Sequence, residues 1–372
     1  MPARKLLNRA PRTSHRLEKP YSPRHKGEIL LRDALVPGNA KYDVVTGAAG
    51  FIGSHLVEAL RRGGRNVVGI DRREVAVRSD TPLPADAGDF HAVRCDLAKT
   101  DLSAVLTNAD VVFHLAAIPG VRPSWTEFPE YLHCNVLATQ RLLDSCVRSG
   151  VPHLVVASSS SVYGNATRAM GEDLLPQPAS PYGVTKLAAE RLALAFAARA
   201  DTDMCVTALR FFTVYGPGQR PDMFISRMVR AVLEDKPIQI HGDGTQRRDF
   251  VYVGDIVRAL MLVGAPGRRP VESGVINVGG NDPVSLNELL ALAAELTGVK
   301  PDARYGPTRL GDVDATVADL TRAQGLLGYR PETSLRDGLA AQIDWTRRWL
   351  AAGARPPAAA AALLETAPTR PR

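Results

Sequence analysis

Tyr182 and Lys186 stand four residues apart, the spacing that places two side chains on one face of a helix. A lysine ammonium near a phenol favours the phenolate, so the pair predicts a Tyr182 pKa below its ordinary value of about 10. A tyrosine with such a pKa can accept a proton near neutral pH as a general base. Because this pair is also common on helix surfaces, its meaning depends on the neighbouring segments.

The serine-rich segment 158–161 supplies hydroxyl groups near this pair. It ends an apolar run that has the pattern of a buried strand, and a helical pattern begins at Tyr182. Ligands of doubly wound sheets bind at the carboxyl ends of the strands. A hydroxyl from this strand end is therefore expected to orient a reacting hydroxyl beside Tyr182.

A second motif is the glycine series Gly47, Gly50 and Gly53, which directly follows the apolar run 42–46. Glycine has no Cβ, so the backbone can approach a pyrophosphate closely, and the amides that open the next helix face that anion. The order of strand, glycines and helix favours a dinucleotide site. We expect Phe51 and Ile52, between the last two glycines, to line it.

Two aspartates follow later strand-like runs. Asp71 ends the second run, where a carboxylate can accept hydrogen bonds from both ribose hydroxyls and would repel a 2′-phosphate. This position favours NAD over NADP, although Arg72 and Arg73 weaken the preference. Asp96, with Leu97 beside it, is expected to meet the adenine.

The elements that position these residues alternate between apolar strands and amphipathic helices as far as residue 216. Such strands predict a parallel sheet covered on both faces, which is a doubly wound α/β fold of the Rossmann type. One continuous helix is predicted over 130–148. The later pieces, among them a helix whose capping box is Ser285 and Glu288, predict a smaller lobe with the site between the two. These later pieces are helices at 223–235, 253–262, 285–297 and 335–350 and strands at 238–240 and 274–278.

The basic charge of the chain lies outside this predicted body. Residues 1–42 hold ten of the 46 Lys and Arg residues and three of the 39 Asp and Glu residues, so the remaining 36 basic and 36 acidic residues balance. This distribution favours a disordered tail over a nucleic-acid partner, with a docking arm as the alternative. The sequence contains no run of 18 apolar residues, so no membrane span is predicted. The four cysteines lack metal-ligand spacing, so we expect no metal site and a cytoplasmic protein with reduced thiols.

Taken together, these motifs resemble a known family, the extended short-chain dehydrogenases/reductases that act on nucleotide sugars as epimerases and dehydratases. The chain carries, in family order, VTGAAGFIGSHL, FHLAA, ASSSSVYG, YGVTK, LRFFTVYGPGQRPDM, GDGTQRRDFVYVGDI and RLGD. The resemblance implies tightly held NAD, Ser159 as the catalytic hydroxyl, Tyr182 as the base and Lys186 as its partner. It also implies cofactor contacts at Leu115, Ala116, Ala117, Asn135 and Phe212.

The pattern and composition along the chain indicate how it is organised. Residues 41–215 are expected to form the NAD-binding domain, to which later segments return, and residues 216–350 mainly the nucleotide-sugar-binding lobe. A basic disordered tail over 1–40 and an Ala/Pro-rich disordered tail over 351–372 are predicted to flank them. Members of the family usually form homodimers by pairing the helices near 130–148 and 182–198.

The two positions after Ser159 distinguish the reactions of the family. Related 4,6-dehydratases carry Asp-Glu there, and related decarboxylases carry Glu at the second position, whereas this chain has Ser160 and Ser161. Hydroxyls cannot readily do that acid–base work, so we predict a C4 epimerase that oxidises the sugar and returns the hydride to the opposite face. The alternatives are a 4-reductase that releases its cofactor and a binding protein without activity.

The segment after Phe212 predicts the sugar. Thr213 stands where many glucose and N-acetylhexosamine epimerases carry Asn, and FFTVYGP followed by RPDM resembles the UDP-glucuronate 4-epimerases. A C6 carboxylate needs hydroxyl donors or a cation, and Ser160, Thr213 and Arg220 can supply them. UDP-glucose and UDP-N-acetylglucosamine are the alternative substrates.

The resemblance places the diphosphate anchor in two further segments. Arg248 of the RRDF segment and Arg309 of the RLGD segment match family positions that hold the diphosphate of the UDP-sugar. Arginine suits this task because its fork pairs with two phosphate oxygens at once. Asp312, in the same RLGD segment, is expected to belong to the substrate site.

Overall fold

The computed structural model describes residues 40–75, 82–165, 169–267, 273–308 and 315–353. The strands are β1 (Tyr42–Thr46), β2 (Val67–Asp71), β3 (Phe90–Arg94), β4 (Ala109–His114), β5 (His153–Ser159), β6 (Cys205–Phe211), β7 (Thr213–Tyr215), β8 (Ile238–His241), β9 (Arg247–Tyr252), β10 (Gly274–Val278), β11 (Pro283–Ser285) and β12 (Ala303–Gly306). The α-helices are α1 (Phe51–Arg62), α2 (Ser103–Leu106), α3 (Phe128–Tyr131), α4 (Ala138–Arg148), α5 (Pro181–Ala197), α6 (Phe224–Leu233), α7 (Val253–Val263), α8 (Leu286–Thr297), α9 (Thr321–Leu327) and α10 (Leu335–Ala351).

The predicted doubly wound fold is confirmed by a seven-stranded parallel sheet of order β10-β6-β5-β4-β1-β2-β3. The chain moves outward from β1 in one direction through β2 and β3, and then in the other direction from β4. The reversal between β1 and β4 opens the crevice in which such sheets bind ligands. The outermost strand on one side is β10, which comes from the second half of the chain and pairs with β6.

The near-continuous apolar strands arise because both faces of this sheet are covered. Within β1, Val45 packs into a core that includes Leu56 and Leu60 of α1, whereas Val44 packs into the opposite core with Leu142 and Leu143 of α4. Neighbouring residues of a strand point to opposite faces, so a doubly covered strand has no solvent-facing positions and is mostly apolar. Each fully buried side chain of this kind stabilises the fold by about 1.5–3 kcal/mol.

A smaller unit is built around a third core, formed by residues of α6, α8 and α10 with β8 and β9. It contains a three-stranded sheet of order β11-β9-β7 and the pair β12-β8. The predicted capping box of α8 is confirmed, since Ser285 Oγ accepts from Glu288 N at 3.1 Å and Glu288 Oε2 accepts from Ser285 N at 2.6 Å. The strand β9 was not predicted, because its first three residues, RRD, are charged.

The predicted helix over 130–148 is present, but it contains a π-helical turn that the sequence did not predict. The segment consists of α3, a π-helical turn at Leu132–Leu137 and then α4. The side chain of Asn135 lies within the turn and bonds both backbone polar groups of Ile118, with distances of 2.8 and 3.1 Å. The wider π turn accommodates an extra residue, and such turns concentrate at functional sites.

A buried histidine at the amino end of β5 gives a test of this packing. His153 is buried with its Nε2 3.1 Å from Thr207 Oγ1, and burial lowers its pKa to about 4. His153 therefore takes up a proton near pH 6.5 in the unfolded chain but only near pH 4 in the folded chain. The contribution of the neutral, buried imidazole to stability is lost as the pH falls below 6.5. Between pH 6.5 and 5 the loss is about 2 kcal/mol.

We therefore expect His153→Gln to gain stability relative to the parent protein by about 2 kcal/mol as the pH falls from 6.5 to 5. The measurement is the free energy of unfolding in urea for both proteins at several pH values. Groups that titrate equally in both proteins cancel in the difference. A difference that stays constant over this range would contradict the prediction.

Candidate active site

The predicted glycine motif forms the turn between β1 and α1. Gly47 has a φ of 72°, and a Cβ on it would lie 2.8 Å from the backbone nitrogen of Ala116. A Cβ on Gly53 would collide with the carbonyl of Gly47. Phe51 and Ile52 are the first two residues of α1, whose N-cap, Gly50, offers its amides no side-chain partner. The turn thus leaves backbone amides directed at an open cradle that fits a pyrophosphate.

Asp71 lies at the end of β2 beside this turn. Its Oδ2 accepts from Ala49 N at 3.1 Å, and its Oδ1 accepts from Arg73 N at 2.9 Å. The guanidinium of Arg73 folds back onto the same carboxylate, with Nε 3.3 Å from Oδ1. Asp71 therefore lies at the carboxyl end of β2, as predicted. The guanidinium of Arg73 forms an ion pair with it.

Asp96 follows β3 and is held by several neighbours. Its Oδ1 accepts from Ala98 N at 3.0 Å, and its Oδ2 lies 3.3 Å from His133 Nε2 and 3.5 Å from Lys99 Nζ. Leu97 beside it is buried. The carboxylate thus lies between the end of β3 and the π turn, and its contact with an adenine stays a prediction.

A buried chain of hydrogen bonds holds the segment after β4. His114 Nε2 lies 2.9 Å from Thr139 Oγ1, and His114 Nδ1 lies 2.8 Å from Thr46 Oγ1. Thr139 Oγ1 donates to the carbonyl of Asn135, so it accepts from Nε2–H, and Nδ1 accepts from the hydroxyl of Thr46. Thr46 Oγ1 in turn accepts from Ala116 N at 3.3 Å. Burial, with the nearby charge of Lys186, lowers the pKa of His114 to about 3, so this chain is neutral at physiological pH.

Asn135 joins the predicted cofactor segment to the helix that carries Tyr182 and Lys186. Besides its two bonds to Ile118, its Nδ2 donates to Thr185 Oγ1 at 3.0 Å. This amide fixes the loop that follows Leu115, Ala116 and Ala117 against α5. A contact between Asn135 and the cofactor stays a prediction.

The predicted catalytic residues lie together at the carboxyl end of β5. Ser159 is the last residue of that strand, and its Oγ accepts from Ser161 N at 3.1 Å. Ser180 caps α5 by accepting from Gly183 N at 3.1 Å, which places Tyr182 in the first turn of the helix. Ser160 opens a short 3-10 turn directly after Ser159.

The electrostatics of Tyr182 differ from the sequence prediction. Burial raises the pKa of this half-buried phenol, while a hydrogen bond with Ser159 and the positive charge of Arg220 oppose the rise. The predicted lowering by Lys186 is therefore wrong as the dominant effect, because desolvation of the phenol outweighs the nearby charges. Burial lowers the pKa of Lys186 to about 8, and the carboxylate of Glu190 limits that drop.

The loop between β7 and α6 brings Arg220 to this centre. Arg220 Nε and Nη2 donate to the two oxygens of Asp222 at 2.9 and 2.8 Å, and Nη1 donates to the carbonyl of Pro119 at 3.4 Å. Tyr131 packs edge-on against Tyr182, with ring centroids 6.3 Å apart. Neither Asp222 nor Tyr131 was predicted as a site residue, although Asp222 lies in the RPDM motif that indicated Arg220.

The remaining predicted site residues are one cofactor residue, Phe212, and the substrate residues Thr213, Arg248, Arg309 and Asp312. Phe212 is buried, and its N–H donates to Val278 O at 3.0 Å. Thr213 begins β7 and is half-buried. Arg248 lies on β9, where its Nη1 donates to the carbonyl of Arg247 at 2.9 Å. Arg309 and Asp312 lie outside the described residues.

A family profile described as the NAD dependent epimerase/dehydratase family matches residues 44–279, more than half of the chain. The chain belongs to this family. Within the described parts of this epimerase/dehydratase chain, no three His, Cys, Asp or Glu residues gather where they could hold a metal ion. No helix among its described residues is long and apolar enough to cross a bilayer.

Three relatives of this epimerase/dehydratase chain are informative. MoeE5, solved in complex with UDP-glucuronic acid and NAD, is 60% identical with a TM-score of 0.77, covering 82% of this chain and 99% of its own; it has also been solved with UDP-glucose and NAD. The UDP-glucuronic acid 4-epimerase from Bacillus cereus, in complex with UDP-glucuronic acid and NAD, is 40% identical with a TM-score of 0.75, covering 82% and 99%. A Bacillus subtilis protein named as an uncharacterized UDP-glucose epimerase, YtcB, is 40% identical over 81% of this chain and 96% of its own.

Proposed function

We propose that the protein interconverts UDP-glucuronate and UDP-galacturonate by NAD-dependent epimerisation at C4. The observation that carries the proposal is that Arg220 and Tyr131 both donate to the carbonyl of Pro119, while the ring of Tyr131 packs against Tyr182 at the carboxyl end of the strand that bears Ser159. The site thus contains a proton acceptor (Tyr182), a hydroxyl (Ser159) and a cation (Arg220). Two relatives, 60% and 40% identical to this chain, have been solved in complex with UDP-glucuronic acid, and these complexes support the choice of substrate.

The cradle at the carboxyl ends of β1, β2 and β4 fits NAD. The turn at Gly47, Gly50 and Gly53 would hold the pyrophosphate, and Asp71, which accepts from Ala49 N beside this turn, would accept hydrogen bonds from the adenosine ribose. Asp96 would meet the adenine. The remaining walls of the cofactor site are Phe51, Ile52, Leu97, Leu115, Ala116, Ala117, Asn135, Tyr182, Lys186 and Phe212. A bound NAD would supply the hydride acceptor, and afterwards the hydride donor, for C4 of the sugar.

The residues of the chain handle the proton and hold the sugar. Tyr182 takes the proton of the C4 hydroxyl, and Ser159 hydrogen-bonds the same oxygen. Lys186, on the same face of α5 one turn later, adds its positive charge to that of Arg220 in favouring the phenolate against the effect of burial. The 4-keto sugar then turns within the site while the diphosphate stays bound, so that its other face meets the cofactor.

Recognition of the uronate requires a firm hold on the C6 carboxylate. A 4-keto-uronate is a β-keto acid and loses carbon dioxide when its carboxylate is free to take up the required geometry. Ser160 and Thr213 supply hydroxyl donors, and Arg220 supplies the cation. The bidentate pairing with Asp222 holds the guanidinium in place, so little conformational entropy is lost when the substrate binds.

The diphosphate of the substrate is assigned to the smaller unit. Arg248 on β9 is a cation at the edge of that unit, next to the fully buried Asp249, which accepts from the backbone amides of Gly280 and Ala318 at 2.6 and 2.9 Å. These hydrogen bonds to the carboxylate of Asp249 hold β9 in place, and with it the backbone of Arg248. Arg309 and Asp312 remain predicted partners of the same substrate.

The protein is also proposed to form a homodimer in the cytoplasm. An open groove of about 430 Å³ runs along the π turn and α5, and its lining is mostly apolar. Leu132 and Leu137 are 42% and 41% exposed there, and Val184 of α5 is 47% exposed. Pairing this groove with its copy would bury Leu132 and Leu137. All four cysteines are free thiols, as expected of a reducing compartment.

We therefore expect Leu137→Glu to convert the dimer into a monomer, because it would place two carboxylates in an apolar interface. The measurement is the molar mass by light scattering during size-exclusion chromatography. Leu175→Glu is the matched control, because Leu175 is 77% exposed and lies outside the groove. A parent protein that elutes as a monomer would overturn the dimer proposal.

The test of the proposed function is incubation of the purified protein with UDP-glucuronate, without added cofactor, followed by NMR of the anomeric protons. A mixture of glucuronate and galacturonate forms supports both the reaction and tight binding of NAD. Parallel samples receive UDP-glucose and UDP-N-acetylglucosamine. UDP-glucose is the second candidate because MoeE5 also binds it, and conversion of UDP-glucose alone would overturn the uronate assignment while leaving the epimerase.

A further inference from the structure

A buried ion pair lies directly behind the catalytic residues. Arg210 of β6 donates from Nε to Glu190 Oε2 at 2.9 Å and from Nη2 to Oε1 at 2.7 Å, and both side chains are fully buried. Ser158 Oγ also donates to Glu190 Oε2, at 2.7 Å. The carboxylate is thus fixed by three hydrogen bonds from two strands.

The stability of the fold does not account for this pair. Two charges lose their hydration on burial, and an apolar pair of the same volume is often at least as stable. Among the described residues, Arg210 Nη1 has no hydrogen-bond partner. The guanidinium instead lies over the ring of Tyr163, 4.7 Å from its centroid, and the Tyr163 hydroxyl donates to Asn277 Oδ1 at 2.8 Å. A pair that leaves a buried donor unsatisfied calls for a role other than stability.

The position of Glu190 connects it to both halves of the catalytic centre. It lies one helical turn after Lys186 on α5, and its partner Ser158 immediately precedes Ser159. Lys186 is 5% exposed and shares its surroundings with Tyr182 on its own helix and His114 on β4. Because His114 is neutral at physiological pH, the carboxylate of Glu190 is the charge that supports the buried ammonium.

We propose that Glu190, held by Arg210 and Ser158, is a positioning residue that keeps Lys186 charged and fixes the strand end bearing Ser159. The two charges of the pair act on Lys186 in opposite directions, with the carboxylate favouring the ammonium and the guanidinium opposing it. Arg191 faces the same carboxylate from the exposed side, at 3.8 Å. The proposal rests on the proposed function, because it gives Lys186 its role in the same reaction.

The test is the pH profile of epimerisation in variants that remove one charge at a time. Glu190→Gln leaves Lys186 facing an unpaired guanidinium, so the alkaline limb of the rate moves to lower pH by about one unit. Arg210→Met removes the buried cation that offsets the carboxylate next to Lys186, so the same limb moves to higher pH. The double variant Glu190→Gln/Arg210→Met returns the limb to near its original position.

The opposite signs separate the proposal from simple damage to the fold. Asp43→Asn is the matched control, because Asp43 is buried and paired with Arg65 at 2.5 Å at the far end of β1. This variant is expected to lower the unfolding midpoint without moving the pH profile. Glu190→Asp retains the charge but shifts its oxygens, so the limb stays in place while kcat falls.

Alkaline limbs that coincide in the parent, Glu190→Gln and Arg210→Met proteins would overturn the proposal, as would shifts of the same sign. If either Glu190→Gln or Arg210→Met does not fold, the other variant still shows in which direction the alkaline limb moves. The phenolate absorbance of Tyr182, taken as the difference from Tyr182→Phe, supplies a readout without turnover and moves to higher pH in Glu190→Gln. Absence of epimerisation by the parent protein on all three UDP-sugars contradicts the proposed function, and the phenolate titration then still decides the role of Glu190.

Discussion

Replacing Tyr182 with phenylalanine is expected to lower kcat for UDP-glucuronate by about 10³-fold, because it removes the group that takes the proton from the C4 hydroxyl. The ring that packs edge-on against Tyr131 remains, so the site should keep its shape. The measurement is the initial rate of galacturonate formation by NMR, together with the amount of NAD released on denaturation.

Tyr42→Phe is the matched control for this variant. The hydroxyl of Tyr42 is a buried donor to Val105 O at 2.8 Å. Tyr42 is the first residue of β1, whereas the catalytic residues lie at the carboxyl ends of the strands. Its loss should cost stability by about 1 kcal/mol and leave the rate unchanged. If the Tyr182 variant retains its NAD and a rate within threefold of the parent, Tyr182 is not the base.

Replacing Arg220 with methionine is expected to lower kcat/KM for UDP-glucuronate by about 10- to 100-fold relative to UDP-glucose, the usual effect of losing a charge-assisted hydrogen bond. Arg220 also opposes the rise of the Tyr182 pKa, so the variant should be slower on both substrates near neutral pH. The ratio of the two kcat/KM values removes this shared effect and reports on the carboxylate alone.

Arg230→Met is a suitable control for the Arg220 variant. Arg230 lies on α6, the next helix along the chain, where its Nε donates to Glu234 at 3.0 Å. A partly exposed pair one helical turn apart contributes little to stability and lies outside the site, so we expect neither substrate to be affected. An equal fall for both substrates in the Arg220 variant at every pH would assign Arg220 to the phenol and not to the carboxylate.

The features that could be predicted from the sequence are those in which neighbouring residues act together. The glycines after β1 and the pair Tyr182 and Lys186 are local patterns, and their structural context of strand, turn and helix is legible in the same stretch of chain. The doubly wound sheet follows from apolar runs of strand length separated by amphipathic helices.

The features that could not be predicted depend on residues far apart in the chain. Within the π turn Asn135 bonds the backbone of Ile118, a residue outside the helix, and no local pattern in 130–148 marks this extra residue. Glu190 shares a helical face with Lys186, which could have drawn attention to it, but its partner Arg210 comes from another strand. The pKa of Tyr182 depends on desolvation, which only the assembled site determines.

The place of β10 at the edge of the main sheet has a consequence for how the protein is synthesised. Residues 274–278 emerge from the ribosome after β6, so the edge of β6 stays unpaired while the intervening chain is made, roughly 3–13 s at 5–20 residues per second. An unpaired edge strand is a template for pairing with other chains. Nascent chains of this protein thus pass through a period in which crowded polysomes favour aggregation, and a chain that ends before residue 274 never leaves it.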